Sequence, residues 1–165
     1  IAGLFITPGL FEPRSRVPAR PSQGPGTPVA DLGQEHFGPG QSAPAGYYNS
    51  VPPTSGRHAP GWAKCGIHET AVPDEVQVHS LEHGFVNVQY NTKDEVLVKS
   101  LREVVQKLPR YPDYLLLAPY PKMTQAIALT AWGAVQYLER VDPEAIQAFT
   151  EAYRGRGPEA GAPAC

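Results

Sequence analysis

Five histidines give this chain its clearest capacity for metal chemistry, and all lie between residues 36 and 83: His36, His58, His68, His79 and His83. Neutral imidazole is a common ligand for copper, zinc, iron and nickel. His79 and His83 are the closest pair, and Glu82 lies between them. Glu82 could act as a general base beside the two imidazoles, although a polar loop residue is an equally good interpretation.

The local conformation decides whether His79 and His83 can share one ion. Residues four apart lie on one face of a helix, but in one continuous strand they would lie about 13 Å apart. Residues 76–79 and 85–90 both alternate in the manner of strands. We therefore predict two strands joined by a hairpin, which would place the two histidines opposite each other at a Cβ separation of about 5 Å.

Further ligands would come from irregular segments. His58 ends a turn that two prolines stiffen, and His36 lies in an earlier loop. Cys65 and Met123, the only methionine, are softer candidates. Imidazole combined with sulfur favours copper, whereas closed sulfur-rich tetrahedral sites favour zinc. We therefore predict copper, with zinc as the less favoured metal. We find no phosphate-binding loop, nucleophile elbow or zinc-protease helix motif.

Composition limits the architecture that must hold these residues. A chain of 165 residues can form one domain with a core. With 19 Pro, 16 Gly and only 18% charged residues, it is neither a coiled coil nor a long helical bundle. The net charge of −2 gives no general attraction to nucleic acid. No apolar run reaches the roughly 18 residues that span a bilayer.

We predict three parts: an anchor remnant with an extended Pro-rich arm at 1–30, one globular domain at 31–157 and a C-terminal tail at 158–165. Residues 1–6 are apolar and are interpreted as the end of a signal or anchor segment. That would place the domain outside the cytoplasm, in the cell envelope or periplasm, with this segment as its only membrane contact. An arbitrary chain boundary is the alternative. Closely spaced prolines exclude helix from residues 7–46, which would be disordered or lie across a partner.

The remaining regular elements follow from capping and periodicity. A helix is predicted from a capping box at residues 92–95 to a stop at Pro109. Strands are predicted at 114–117 and 126–130. A last helix starts at Asp142-Pro143 and ends at Gly155. The order ββαββα predicts an α+β fold, a small antiparallel sheet with two helices packed on one face.

Cys65 and Cys165 are the only cysteines. A bridge between them would close a loop of roughly 100 residues and stabilise the fold by about 4–5 kcal/mol in the chain-entropy model. Paired and free thiols remain alternatives at this point.

Several motifs resemble a bacterial family of exported domains of unknown function with the signature PPTSGxH…HSLEHG. The resemblance covers about residues 31–155 and rests on Trp62 and five segments: Gly33–His36, Pro52–His58, Cys65–Ile67, Val78–Gly84 and Thr130–Gly133. It implies export behind one N-terminal membrane helix, and it implies no activity. His68 stands where the family pattern often has Tyr, which favours a hydrogen-bonded loop residue there.

Our leading hypothesis is an exported copper protein with a reaction like that of a copper-only superoxide dismutase. The proposed ligands are His58, His79 and His83, with His36 as a fourth and Met123 or Cys65 as soft additions. Arg57 would attract the superoxide anion.

Two alternatives stay open. A copper carrier or scavenger would use the same ligands and depend more on Met123 and Cys65. A structural subunit of an envelope complex would dock through residues 7–46, and its histidines would only brace the turn.

Overall fold

A computed structural model describes residues 24–161 and 165. It contains a mixed sheet of six strands in the order β1-β6-β5-β3-β4-β2, together with three helices. In chain order the elements are β1 Thr27–Pro28, β2 Gly66–Ile67, α1 Asp74–Glu82, β3 Val86–Tyr90, α2 Glu95–Gln106, β4 Leu115–Pro119, β5 Ile127–Ala131, β6 Ala134–Leu138 and α3 Pro143–Tyr153. The predicted α+β class is confirmed.

The predicted all-antiparallel sheet is wrong. Strand β3 lies at the centre, antiparallel to β5 and parallel to β4, and β2 is also parallel to β4. The reason is that α2 lies between β3 and β4 in the chain. A strand that returns through a helical crossover runs in the same direction as the strand before it.

The predicted strand at residues 76–79 is also wrong, because these residues belong to α1. Asp74 and Glu75 occupy the first turn after Pro73, where acidic side chains favour the positive end of the helix dipole. Every residue from 77 to 82 is buried. Because this stretch has no solvent-exposed face, its apolar residues need not follow the helical period, and the alternation of Val76 and Val78 with polar residues imitates a strand.

The other predicted elements are confirmed within a few residues. Asp94 caps α2 by accepting hydrogen bonds from the backbone N–H groups of Val96 and Leu97 at 2.9 and 3.2 Å. Asp142 caps α3 through the N–H of Ala145 at 3.0 Å. Strands β4 and β5 confirm the strands predicted at 114–117 and 126–130, within one or two residues at each end. Strand β6 was not predicted, because its residues alternate only weakly.

The two faces of the sheet differ in polarity. One face is apolar and packs against α2 and α3, with Val88 and Leu129 of the sheet fully buried beside Phe149 of α3. The other face is partly polar and faces α1, where the Gln89 side chain donates a hydrogen bond to that of Gln77. The main hydrophobic core therefore lies on one side of the sheet, and α1 lies on the other side with the irregular segments.

Part of the predicted N-terminal arm lies outside the described residues, which begin at Gly24. Within the described part, Thr27–Pro28 pairs with β6 as an edge strand. Residues 29–65 contain no named helix or strand. Among the described residues, no helix is long and apolar enough to cross a membrane.

Candidate metal centre

Helix α1 places His79 and His83 one turn apart on the same face. Their rings stack with centroids 4.8 Å apart, and their Nε2 atoms lie 2.8 Å apart. The two histidines are brought together as predicted, but a helical turn does so and the predicted hairpin is absent. His79 and His83 are both buried.

The irregular segments bring His36 and His58 to α1. A short parallel bridge joins the two residues, with the N–H of Phe37 donating to the carbonyl of His58 at 2.8 Å. The His58 N–H in turn donates to the carbonyl of Glu35 at 3.0 Å. The His36 ring consequently lies 4.7 Å from that of His58 and 5.1 Å from that of His79, measured between centroids.

Four side chains form a group that we name the His/Glu centre. Their ligand atoms all lie within 4.8 Å of one another, and the members are His36, His58, His79 and Glu82. Three members are buried, and His36 alone is exposed. The centre could therefore hold a metal ion, and its exposed edge is the side of His36.

Backbone carbonyls fix the orientation of the buried rings. The Nδ1 of His58 donates to the carbonyl of Gly56 at 2.8 Å, and the Nδ1 of His79 donates to the carbonyl of Ala59 at 2.5 Å. A carbonyl oxygen can only accept a hydrogen bond. In the neutral rings the proton is thus on Nδ1, and Nε2 presents a lone pair, as in most metal-binding histidines.

The lone pairs on Nε2 face other acceptor atoms. The Nε2 of His58 lies 2.9 Å from Oε2 of Glu82, and the Nε2 of His79 lies 2.8 Å from that of His83. The Nδ1 of His83 faces the carbonyl of Glu159 at 3.3 Å. Two acceptors at such distances repel each other unless a proton or a cation lies between them.

Burial disfavours the charged form of each buried member. Desolvation lowers the pKa of His58 and of His79, and desolvation raises the pKa of Glu82. Without a cation, the buried rings are therefore driven toward their neutral form, with its free Nε2 lone pair. A bound metal ion would supply the charge that these groups lack.

Two tryptophans lie beside the centre. The Trp62 ring contacts His79 and His83 with centroid distances of 5.3 and 4.6 Å, although 43% of Trp62 is exposed. The Trp132 ring lies edge-on to His58 at 6.4 Å. Trp62 therefore covers the α1 histidines from the solvent side.

Two of the predicted soft ligands have other roles. Cys65 forms a disulfide with Cys165, so its prediction as a thiolate ligand is wrong, and the open question of pairing is answered. Met123 is buried with Tyr120 and Ala128 in a small cluster of its own.

Arg57 and His68 lie outside the His/Glu centre. Arg57 packs over the ring of Phe37 and forms an ion pair with Glu35 at 3.6 Å. Its guanidinium also donates to the carbonyl of His36 at 3.4 Å, so it adjoins the exposed edge of the centre. His68 donates to the carbonyl of Lys64 at 2.8 Å, as expected of a hydrogen-bonded loop residue.

Glu82 has a larger place in the site than its loop position predicted. With α1 in place, His79, Glu82 and His83 have the His-x-x-Glu-His spacing of one class of zinc peptidases, in which both histidines bind the metal and the glutamate is the base. The prediction that the chain has no zinc-protease helix motif is therefore wrong. The His-x-x-Glu-His spacing in the sequence indicates that Glu82 belongs to the site. Glu159, which approaches His83, had no signal in the sequence.

The fold and the site together define an α+β domain with a candidate metal centre of imidazoles and a carboxylate. Residues 42–165 match a family model described as "Protein of unknown function (DUF3105)", and the chain belongs to that family. No curated protein and no solved structure matches the chain. The particular signature PPTSGxH…HSLEHG stays a prediction.

Proposed function

We propose that this protein binds a copper ion at the His/Glu centre. The observation that supports this most directly is the convergence of three groups that can bind a metal: Nε2 of His58, Nε2 of His79 and the carboxyl group of Glu82. Buried polar groups normally pair a donor with an acceptor. Here Nε2 of His58 faces Glu82 and Nε2 of His79 faces Nε2 of His83, so each contact needs a shared proton or a cation, and the proposed copper ion would supply the cation.

The donor set supports copper through ligand chemistry. Copper(II) binds nitrogen and oxygen ligands in tetragonal geometry, and it binds most tightly among the first-row divalent ions. The centre offers imidazole nitrogens and one carboxylate, which suit copper(II) and can also bind zinc.

An extracytoplasmic location is part of the proposal. The disulfide between Cys65 and Cys165 supports it, because disulfides persist mainly in oxidising compartments such as the periplasm and the cell exterior. A copper site of imidazoles and carboxylate, with no free thiol among the described residues, suits the same conditions.

The reaction that we propose for the copper ion is superoxide dismutation. A copper ion held by His58, His79 and Glu82 would supply the one-electron chemistry, by which two superoxide anions and two protons would give dioxygen and hydrogen peroxide. The exposed His36 supports this, because it leaves one edge of the centre open to a small anion. Arg57 adjoins that edge and would attract the anion, although Glu35 neutralises part of its charge.

A second candidate is hydrolysis by metal-bound water. The observation in its favour is the His-x-x-Glu-His spacing on α1, where Glu82 would take a proton from a water held by the ion. Zinc would then be the natural metal. The short distance from Glu82 to His58 argues against it, because it directs that carboxylate oxygen into the ligand group.

The structure bears on one of the two non-enzymatic alternatives. A copper(I) carrier would need Cys65 as a thiolate ligand, and the disulfide with Cys165 removes that ligand. Docking of an envelope partner through residues 7–46 stays a proposal, and residues 7–23 lie outside the described part of the chain.

The test is metal content followed by activity. The full chain is loaded separately with Cu(II) and Zn(II), desalted, and measured for bound metal and for superoxide decay by stopped-flow absorbance. We expect copper retention and metal-dependent superoxide decay, both lost in His79→Ala and both kept in His68→Ala. Hydrolysis of peptide and ester substrates by the zinc form, with no superoxide turnover by the copper form, would favour the second candidate. Absence of any retained metal contradicts both.

A further inference from the structure

The end of α1 meets the C-terminal segment, residues 155–160, and their side chains form a second group of ligands. We propose that Glu82, His83 and Glu159 hold a second metal ion beside the first, with the Glu82 carboxylate bridging the two. This inference rests on the proposed metal binding at the His/Glu centre. It makes the site a two-ion centre in which the C-terminal segment supplies an essential ligand.

The second group meets the same geometric condition as the first. The ligand atoms of Glu82, His83 and Glu159 lie within 4.8 Å of one another. Glu82 and His83 are 1% and 7% exposed, and Glu159 is exposed. Glu82 is the one residue that the two groups share. A carboxylate has two oxygens, and one such group can serve two ions separated by about 3.5–4 Å.

The backbone holds Glu159 at this position. Its N–H donates to the carbonyl of Glu82 at 3.0 Å, and its own carbonyl faces Nδ1 of His83 at 3.3 Å. The latter contact directs Nε2 of His83 away from the tail carbonyl and toward His79. Glu159 is thus attached by its main chain to both other members of the group, and its side-chain carboxylate supplies the ligand atom.

Glycines permit the close approach of the tail. A Cβ on Gly157 would overlap the carbonyl oxygen of Glu82. A Cβ on Gly84 would come within 2.8 Å of the backbone of Gly155, whose N–H donates to the Gly84 carbonyl at 2.8 Å. Larger residues at these positions would push the segment away from α1. The tail therefore packs directly on the helix end that bears His83.

The charges also favour a cation. Two carboxylates, Glu82 and Glu159, face the same small region, and among the described residues neither forms an ion pair with Lys or Arg. Like charges held together in a partly buried place repel each other. A divalent ion between them would turn this repulsion into attraction, in the way that carboxylates of two-metal sites do.

The experiment measures how many copper ions each chain retains. The full chain, its Glu159→Gln variant and a matched Glu139→Gln control are equilibrated with excess Cu(II), passed over a desalting column and analysed for metal per chain. Glu139 is an exposed glutamate that belongs to neither group of ligands. We expect two ions per chain in the wild type and the control, and one in Glu159→Gln, with the affinity of the remaining ion changed less than about threefold.

The outcomes separate this inference from the proposed function. One ion in all three proteins overturns the second position and leaves the first intact. Two ions in Glu159→Gln also overturns it, because Glu159 is then not a ligand. No ion in the wild type contradicts the proposed function itself. His83→Ala serves as the second variant, and loss of one ion there without loss of folding, judged by circular dichroism, supports the bridge.

Discussion

The Nε2 atoms of His79 and His83 lie 2.8 Å apart, although the Nδ1 of each ring faces a backbone carbonyl oxygen. In two neutral rings both Nε2 atoms would then present lone pairs to each other. The relationship is stable only with a shared proton or a bound cation. It follows from one helical turn of α1 and two carbonyls, those of Ala59 and Glu159, that come from different parts of the chain.

Metal binding should stabilise the fold, because the ion relieves the repulsion between acceptors that only the folded state assembles. At a free copper concentration 100 times the dissociation constant, linkage gives about 2.7 kcal/mol. For a domain of this size that corresponds to a rise in Tm of about 5–10 °C. Differential scanning fluorimetry measures this rise in Tm when it is run with Cu(II), without Cu(II), and after a chelator has removed the metal.

The controls for this prediction are two histidine variants. His79→Ala should show no copper-dependent shift, since it removes a donor from the centre. His68→Ala should shift as the wild type does, because that side chain lies outside the His/Glu centre and donates to the Lys64 carbonyl. An equal copper shift in both variants would mean that the stabilisation arises elsewhere.

Glu82→Gln should separate stability from metal binding. The amide of glutamine can donate a hydrogen bond to Nε2 of His58, where the carboxylate of Glu82 now faces it as an acceptor at 2.9 Å. A buried acceptor left without a donor costs roughly 1–3 kcal/mol. We therefore expect the metal-free variant to unfold at the same or a higher urea concentration, while its copper affinity falls at least about tenfold.

Urea unfolding monitored by tryptophan fluorescence and competitive titration against a copper chelator provide these two measurements. Glu139→Gln is the matched control and should change neither. A Glu82→Gln variant that is destabilised and still binds copper with unchanged affinity would argue that Glu82 is a structural partner of His58 rather than a ligand.

The sequence predicted those elements whose ends carry chemical signals. Asp94 and Asp142 cap α2 and α3 through side-chain hydrogen bonds, and both helices were predicted. Helix α1 begins after Pro73 with no side-chain cap and is buried all round, so neither capping nor periodicity identified it. The predicted proximity of His79 and His83 is nevertheless confirmed, because a hairpin and a helix both bring residues four apart together.

The sequence predicts which residue types form the candidate site, but it predicts only some of the residues that belong to it. The sequence predicts His58 as a ligand from its stiff turn, His79 and His83 from their spacing, and His36 as a fourth. The structure groups His36, His58 and His79 with Glu82, and it places His83 beside His79 in a second group. Glu159 is separated from His83 by 76 residues. No local pattern reports such a contact, since the approach depends on the packing of glycines from two distant segments.

Gly157→Ala should displace the C-terminal segment, because its Cβ would overlap the carbonyl oxygen of Glu82. Forced overpacking of this kind costs roughly 1–3 kcal/mol, and Glu159 should then lose its place beside His83. We expect lower stability in urea and weaker retention of the second ion. Gly61→Ala is the control, because nothing lies within 4 Å of its Cβ. Equal effects of the two substitutions would contradict the specific role of Gly157.

Removal of the disulfide should lower the free energy of unfolding, because the unfolded chain gains conformational entropy. It should leave the first ion in place. Cys65 and Cys165 are 100 residues apart in sequence, and closing a loop of that length contributes about 4.7 kcal/mol in the chain-entropy model. Because neither cysteine belongs to the His/Glu centre, the double variant Cys65→Ser/Cys165→Ser should unfold more than about 10 °C lower by calorimetry. Its copper affinity at the first position, measured well below that temperature, should stay within about threefold of the wild type.

The single variant Cys165→Ser, with its remaining thiol alkylated, should behave as the double variant does. Loss of all copper binding on breaking the bridge would instead show that the tail organises the whole centre, including the rings of His58 and His79 that α1 and the loops now hold.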